Sequence, residues 1–282
     1  MPAFTRTVWV SDQSRDVWER RFVGIAGCWK EIEWRTVMNQ VRDCSLMWAS
    51  SDEISGLESR LANHGLKILP LFARARRRFV KPGIIKSSHN SLQPLFRIVA
   101  GRAKHLGGFR KAWVRGDDDV VGQYLGYPSC CRVFFRKFFV QEKWMDCILP
   151  AALNTETPPG NIQDVDVVGN PLLNPFWISV GVRLSPLFPC HFDCKHAGAL
   201  AKYFAQAGEE AGFGAEIKFA LEILNWPVEW SALHGIAEIK TPILKIAKRT
   251  DMTPLKYRIR WLGKSFPSEG GRGLDFPYRI GR

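Results

Sequence analysis

Four of the seven cysteines fall in two tight groups, and a proline precedes each group. The first is Gly126-Tyr127-Pro128-Ser129-Cys130-Cys131 and the second is Pro189-Cys190-His191-Phe192-Asp193-Cys194, with His196 just beyond. A core does not need clustered thiols, because valine or alanine fills the same space without redox liability. Both groups sit where a helix should begin. A helix start offers unpaired N–H groups and partial positive charge, which favour the thiolate. Thiolates bind metals and attack electrophiles. If the two helix starts meet, they line one electropositive pocket with up to four sulfurs.

Three chemistries fit such a pocket. One is an iron–sulfur cluster, 4Fe–4S favoured, held by three or four of Cys130, Cys131, Cys190 and Cys194. Another is zinc, with His191 or His196 joining the thiolates. The third is a metal-free dithiol that cycles through a disulfide. Paired C-x-x-C knuckles are the commoner zinc pattern, and an adjacent pair sits more easily on a larger cluster. Cys28, Cys44 and Cys147 are isolated in apolar surroundings and read as core.

The motif Gly126-Tyr127-Pro128-x-Cys130-Cys131, followed by Pro189-Cys190-x-x-x-Cys194, resembles an uncharacterised prokaryotic family with a Gly-Tyr-Pro-x-Cys-Cys signature. The Cys130-Cys131 pair alone is similar to pairs in heterodisulfide reductases and epoxyqueuosine reductases. There such pairs help hold iron–sulfur clusters. That likeness implies a cluster at Cys130 and Cys131. Ligand roles for Cys190 and Cys194 rest on their own chemistry.

Beyond the cysteines the signals thin out. His234, beside Gly235 in a loop, and Glu238, in an otherwise apolar stretch, are the candidates for proton handling. Asp117, Asp118 and Asp119 suit helix initiation better than metal binding, since successive residues at a helix start do not face one point. Tyr124, Tyr127, Trp177 and Phe192 flank the cysteines, placed to stack on a planar group or to shield a cluster from water. Gly212-x-Gly214 and Gly270-Gly271-x-Gly273 lack the strand-and-helix context of a phosphate loop. There is no serine elbow and no H-E-x-x-H.

The elements that must carry these residues read as α/β: a mixed sheet with flanking helices and a β-rich C-terminal portion. Asp16 to Arg42 looks helical. Ser45–Ala49, a helix capped by Asp52 and ended by Gly65, and Leu66–Phe72 form a β-α-β unit, which predicts parallel pairing. A helix is expected over Ser91–Leu106, broken by Gly107-Gly108. A short helix opens at Asp117 and stops at Gly126. Ser129 caps a helix to about Lys143, and Asp193 caps one from Cys194 to about Ala207. Asn154 to Pro175, rich in proline, glycine, asparagine and aspartate, is loop. Glu216 to Leu224 is helical. Strands follow at Ile236–Lys240, Ile243–Ile246 and Tyr257–Trp261, and a Gly/Pro/Arg-rich tail from Phe266 wraps the surface. The expected division is 1–153, an α/β part carrying the Cys-Cys helix, and 154–282, holding the loop, the second cysteine helix and the β-rich end, in one compact unit.

The chain of 282 residues has enough apolar content for a core, and no apolar run near the roughly 20 residues that cross a bilayer. The N-terminus carries no secretory h-region, so a cytoplasmic, reducing location is expected and no membrane partner. Net charge is +13. Arginines and lysines concentrate at Arg74–Arg78 and Arg97–Arg115, then at Lys245–Lys264. The leading expectation is an iron–sulfur enzyme that reduces, or transfers sulfur to, an anionic or aromatic small molecule, with an electron donor if it is a reductase. The alternatives are a zinc-stabilised nucleic-acid-binding protein, bound through its basic patches, and a metal-free thiol oxidoreductase.

Overall fold

The computed structural model describes residues 5–74, 95–155 and 162–270, and within β3 it describes the backbone alone from residue 72. The expected α/β class holds. Helices flank two sheets, one of them mixed, and the C-terminal portion is strand-rich.

The larger sheet has six strands in the order β1-β8-β7-β6-β9-β5. These are β1 (Thr5–Trp9), β5 (Asp164–Val167), β6 (Val228–Leu233), β7 (Ile236–Lys240), β8 (Leu244–Arg249) and β9 (Tyr257–Trp261). Only the β5–β9 pair is parallel. The N-terminal strand thus pairs with β8, far along the chain. In β7, Ala237 and Ile239 are buried while Ile236 and Glu238 are exposed, a clean period of two. The paired inner faces bury Trp230, Ile239, Ile246, Ile259 and Trp261.

Helix α1 (Asp12–Met38) covers most of the stretch expected to be helical and carries two apolar stripes. Trp18, Phe22, Ile25, Trp29 and Ile32 repeat every three or four residues and pack into the core of the six-stranded sheet. Trp34 and Val37, further along, enter a different core. One helix of about 40 Å thus serves two sheets with two stripes. Around it lie α7 (Lys195–Glu210) and α8 (Gly214–Leu224). Tryptophan packing dominates there: Trp18 and Trp177 both meet Trp226 edge-on, with centroids 4.7 and 5.7 Å apart.

The smaller sheet has the order β2-β4-β3, from β2 (Cys44–Ser50), β3 (Lys67–Arg74) and β4 (Leu95–Gly101). Helix α2 (Ser51–Ala62) begins at a capping box between Ser50 and Glu53. The β-α-β unit exists, but its expected direct pairing does not. β4 inserts between β2 and β3, antiparallel to both, so the two outer strands run the same way without touching. Pro70 sits on edge strand β3, beside a register shift, where a missing N–H is tolerated. The helix expected over Ser91–Leu106 is also corrected. From residue 95 it is strand β4, and Gly107-Gly108 lie inside α3 (Ala103–Arg115) instead of breaking it. Val99 and Ala100 are fully buried from opposite faces of β4, between α1/α2 and α3. Burial on both faces produced an apolar run that imitates a buried helix.

Within 154–175, β5 and a short 3₁₀ turn at Pro171–Leu173 replace part of the expected loop; residues 156–161 lie outside the described residues, as do Arg76, Arg77, Arg78 and the tail beyond 270.

Candidate metal centre

Three short elements bring the first cysteine pair into place. Helix α4 (Asp118–Tyr124) is capped by the Asp117 side chain, which accepts from the Val120 N–H, so the aspartate run does initiate a helix. Gly126 then turns the chain at φ +70°, and a Cβ there would sit 2.8 Å from the Arg42 Cβ. Only glycine meets both demands. Pro128, not Ser129, is the N-cap of α5 (Ser129–Phe135), which places Cys130 and Cys131 at its second and third positions. The helix does not run unbroken to Lys143. It loosens into a π-helical turn over Arg136–Gln141.

The second pair comes on an irregular loop that enters α7. Cys194 is itself the N-cap, where Asp193 was expected. The loop is held by polar contacts that sequence reasoning did not anticipate. Asn154, which follows α6 (Ile148–Leu153), donates Nδ2 to the Cys190 carbonyl at 3.1 Å. Thr155 Oγ1 accepts from the Phe192 N–H at 2.9 Å, and the Phe192 carbonyl accepts from Asn170 N at 2.8 Å.

These elements converge. The Sγ atoms of Cys130, Cys131, Cys190 and Cys194 all lie within 4.8 Å of one another. The separations are 3.9 Å for Cys130–Cys131, 3.7 Å for Cys130–Cys194 and 3.8 Å for Cys131–Cys194. Cys131, Cys190 and Cys194 are buried, and Cys130 is half-buried. Four sulfurs this close can hold a metal ion. Among the described residues no histidine or carboxylate joins the group. His191 stays near enough to favour the Cys190 thiolate, while His196 is exposed on the first turn of α7.

The group shares its protons unevenly. The Cys190 pKa is lowered, first by the hydrogen bond from Cys131, and further by those from Cys194 and Cys130, against the opposing effect of burial. Cys131 is raised, because it keeps the proton it donates and because it is buried. Cys194 is raised foremost by burial, with the Ala197 N–H easing it back. A cation bound here would favour the thiolate form and displace the protons that the thiols keep.

The other cysteines behave as core. Burial pushes Cys28 up to about 11 and Cys44 up to about 12, and raises Cys147 as well. Phe192 and Trp177 are fully buried in the core that also contains Cys131, Cys190 and Cys194, so shielding, not stacking on a ligand, describes them. Tyr124 packs in the other core, edge-on to Phe109 and His105.

His234 and Gly235 form the tight turn of the β6–β7 hairpin, with φ of +49° and +83° and His234 exposed. A two-residue hairpin turn of this kind favours glycine at its second position. Glu238 is exposed on β7 opposite Ser231 and Ala247, so it neither faces a cavity nor needs a buried partner. Neither belongs to the four-cysteine group.

The second basic concentration is partly neutralised. Lys248 pairs with Asp146, Arg258 with Asp164, and Arg260 with Asp164 and Asp166. Helix α3 instead exposes Lys104, Arg110, Lys111 and Arg115. No helix among the described residues is long and apolar enough to cross a membrane.

Fold and site together define an α/β protein with a four-cysteine group able to hold a metal ion. No family model matches the chain, and no curated protein or solved structure was found to be similar to it.

Proposed function

We propose that the four cysteines hold one tetrahedral metal ion, zinc first, and that this closed centre braces a protein that binds nucleic acid. The carrying observation is the sulfur spacing. A tetrahedron of zinc–sulfur bonds of about 2.3 Å has edges of about 3.8 Å, and three edges here are 3.7, 3.8 and 3.9 Å. Four protein ligands leave no open position, which is the mark of structural rather than catalytic zinc. The basic face of α3 supports an anionic polymer as partner.

The iron–sulfur enzyme is the second reading. The half-buried Cys130 favours it, since an exposed ligand gives electrons a short way in. Each thiolate of a 4Fe–4S cube binds a different iron, so its four sulfurs must stand further apart than the edges of a single-ion tetrahedron. Elemental analysis of the purified chain separates the readings. One zinc per chain, no visible absorption and salt-sensitive oligonucleotide binding are expected. Several irons and acid-labile sulfide, with broad visible absorption, would transfer the conclusion to the cluster. A metal-free chain with one fast-alkylating cysteine would transfer it to thiol chemistry.

A further inference from the structure

The four clustered thiols are not equally open to solvent. Cys130 is half-buried, whereas Cys131, Cys190 and Cys194 are buried. Oxidation follows thiolate character and exposure, so a small oxidant meets Cys130 first. Four thiolates outweigh the charge of one divalent cation, so a sulfur bound to zinc here stays electron-rich.

The other three sulfurs all stand within 4.8 Å of Cys130, but they are not equivalent partners for it. Cys131 is the next residue, with its Sγ at 3.9 Å. Consecutive Cα atoms are about 3.8 Å apart, less than the roughly 4.4–6.8 Å that a relaxed disulfide spans, so an adjacent bridge is strained. The Cys194 Sγ stands 3.7 Å away and comes from a segment 64 residues further along. Cys194 is the N-cap of α7 and has an extended backbone, so it can close on Cys130 without unwinding that helix. Cys190 lies on the loop before it. There the Cys190 carbonyl and the Phe192 N–H are tied to Asn154 and Thr155 at 3.1 and 2.9 Å. Those contacts restrain Cys190 from following Cys130.

We propose that Cys130 and Cys194 are a redox switch in the metal centre: a hydroperoxide joins them as a disulfide and the zinc is released. This regulates the centre proposed above and rests on its zinc reading. The Cys130 thiolate attacks a peroxide oxygen. The S–O bond forms, the O–O bond breaks, and hydroxide leaves. The Cys194 thiolate then attacks the sulfenic sulfur. The S–S bond forms, the S–O bond breaks, and a second hydroxide leaves. Two thiolates lose two electrons in all, and one hydrogen peroxide becomes two waters with two protons from solvent. Only Cys131 and Cys190 then remain for the ion, too few for a closed tetrahedral site. The new bond still ties α5 to α7, so oxidation opens the centre without separating the two helices.

The test is hydrogen peroxide added to the purified full chain, with zinc measured beforehand. A chain isolated without zinc ends the zinc reading, and the switch with it. With zinc present at the start, every later result bears on the switch alone. One zinc released per disulfide is expected, read with a chromogenic chelator. Peptide mapping by mass spectrometry should find Cys130 joined to Cys194, with Cys28, Cys44 and Cys147 still reduced. Dithiothreitol and added zinc should restore the centre. Cys194→Ser should leave Cys130 as a sulfenic acid that dimedone traps, whether or not that variant keeps its zinc. If Cys194→Ser misfolds, the disulfide map of the parent decides. Zinc that stays bound in excess peroxide overturns the switch. So does a bridge through Cys131 or Cys190, or zinc release with sulfinic acid and no disulfide. In each of those cases the zinc reading stands.

Discussion

The tryptophan core under the six-stranded sheet and the cysteine corner beside it are built on opposite principles. The core is held by long elements: α1 of 27 residues, α7 of 16, and a ladder of six strands. Trp18, Trp177 and Trp226 interlock at right angles with no exposed surface. The corner has a seven-residue helix, a π-helical turn, and a loop from Gly181 to Cys194 with no regular element. Short helices are marginal without tertiary support. Burial suffices in the first region. In the second, two stretches that share little backbone hydrogen bonding meet at four sulfurs close enough to hold a metal ion. The thiols stand where the chain has the least regular structure to hold its own shape.

The largest expected effect is metal loss. Stripping the ion with a strong chelator, or Cys131→Ser, should cost about 4 kcal/mol or more, since the binding energy of a structural site is folding energy. The loss should be local. Hydrogen exchange should accelerate over residues 126–143 and 183–194, while β6, β7 and β9 stay protected. If the sheet amides open to the same extent, the two regions are one cooperative unit and the contrast fails.

Trp226→Ala should reverse the pattern. Removing a fully buried indole costs about 3–5 kcal/mol. Near-UV circular dichroism and the global melting temperature should both fall, with metal still bound in the fraction that remains folded. A variant that keeps its sheet and releases its metal would place the corner above the core in the hierarchy.

Gly126→Ala is next, at about 1–3 kcal/mol. Its φ of +70° strains any L side chain, and the new methyl meets Arg42 at 2.8 Å. Faster metal release to a chelator is the readout, because this turn aims Tyr127 and starts the cysteine helix. Unchanged release would mean that the corner tolerates a shifted turn.

What the sequence disclosed follows the same division. The cysteine group was legible because thiols beside prolines at helix starts have few bland explanations. Its sulfur spacing was not, because pattern says nothing about whether two stretches 59 residues apart meet within an ångström of a tetrahedron. Strands β7 and β9 were legible from their residues. Strand β4 was not, since burial on both faces erases the alternation that marks a half-exposed strand. Insertion of β4 between β2 and β3 was equally hidden, because a β-α-β pattern fixes strand direction without forbidding a third strand between.

The smallest effect tests how the corner is tied to its neighbour. Asp119 on α4 accepts from Arg132 Nε at 3.0 Å, and Arg132 donates Nη1 to the Tyr127 carbonyl at 2.7 Å. The Asp119 carboxyl is held below its usual range, first by the Arg132 hydrogen bond. Because the folded pKa is the lower one, its contribution is present above the ordinary carboxylate range and disappears as pH falls through the depressed value. Asp119→Asn should therefore lower the melting temperature at neutral pH by about 2 °C or less, since the pair is near the surface and screened. At strongly acid pH the variant and parent should converge. A difference that persisted there would mean that Asp119 acts through packing, and that Arg132 holds the Tyr127 turn without it.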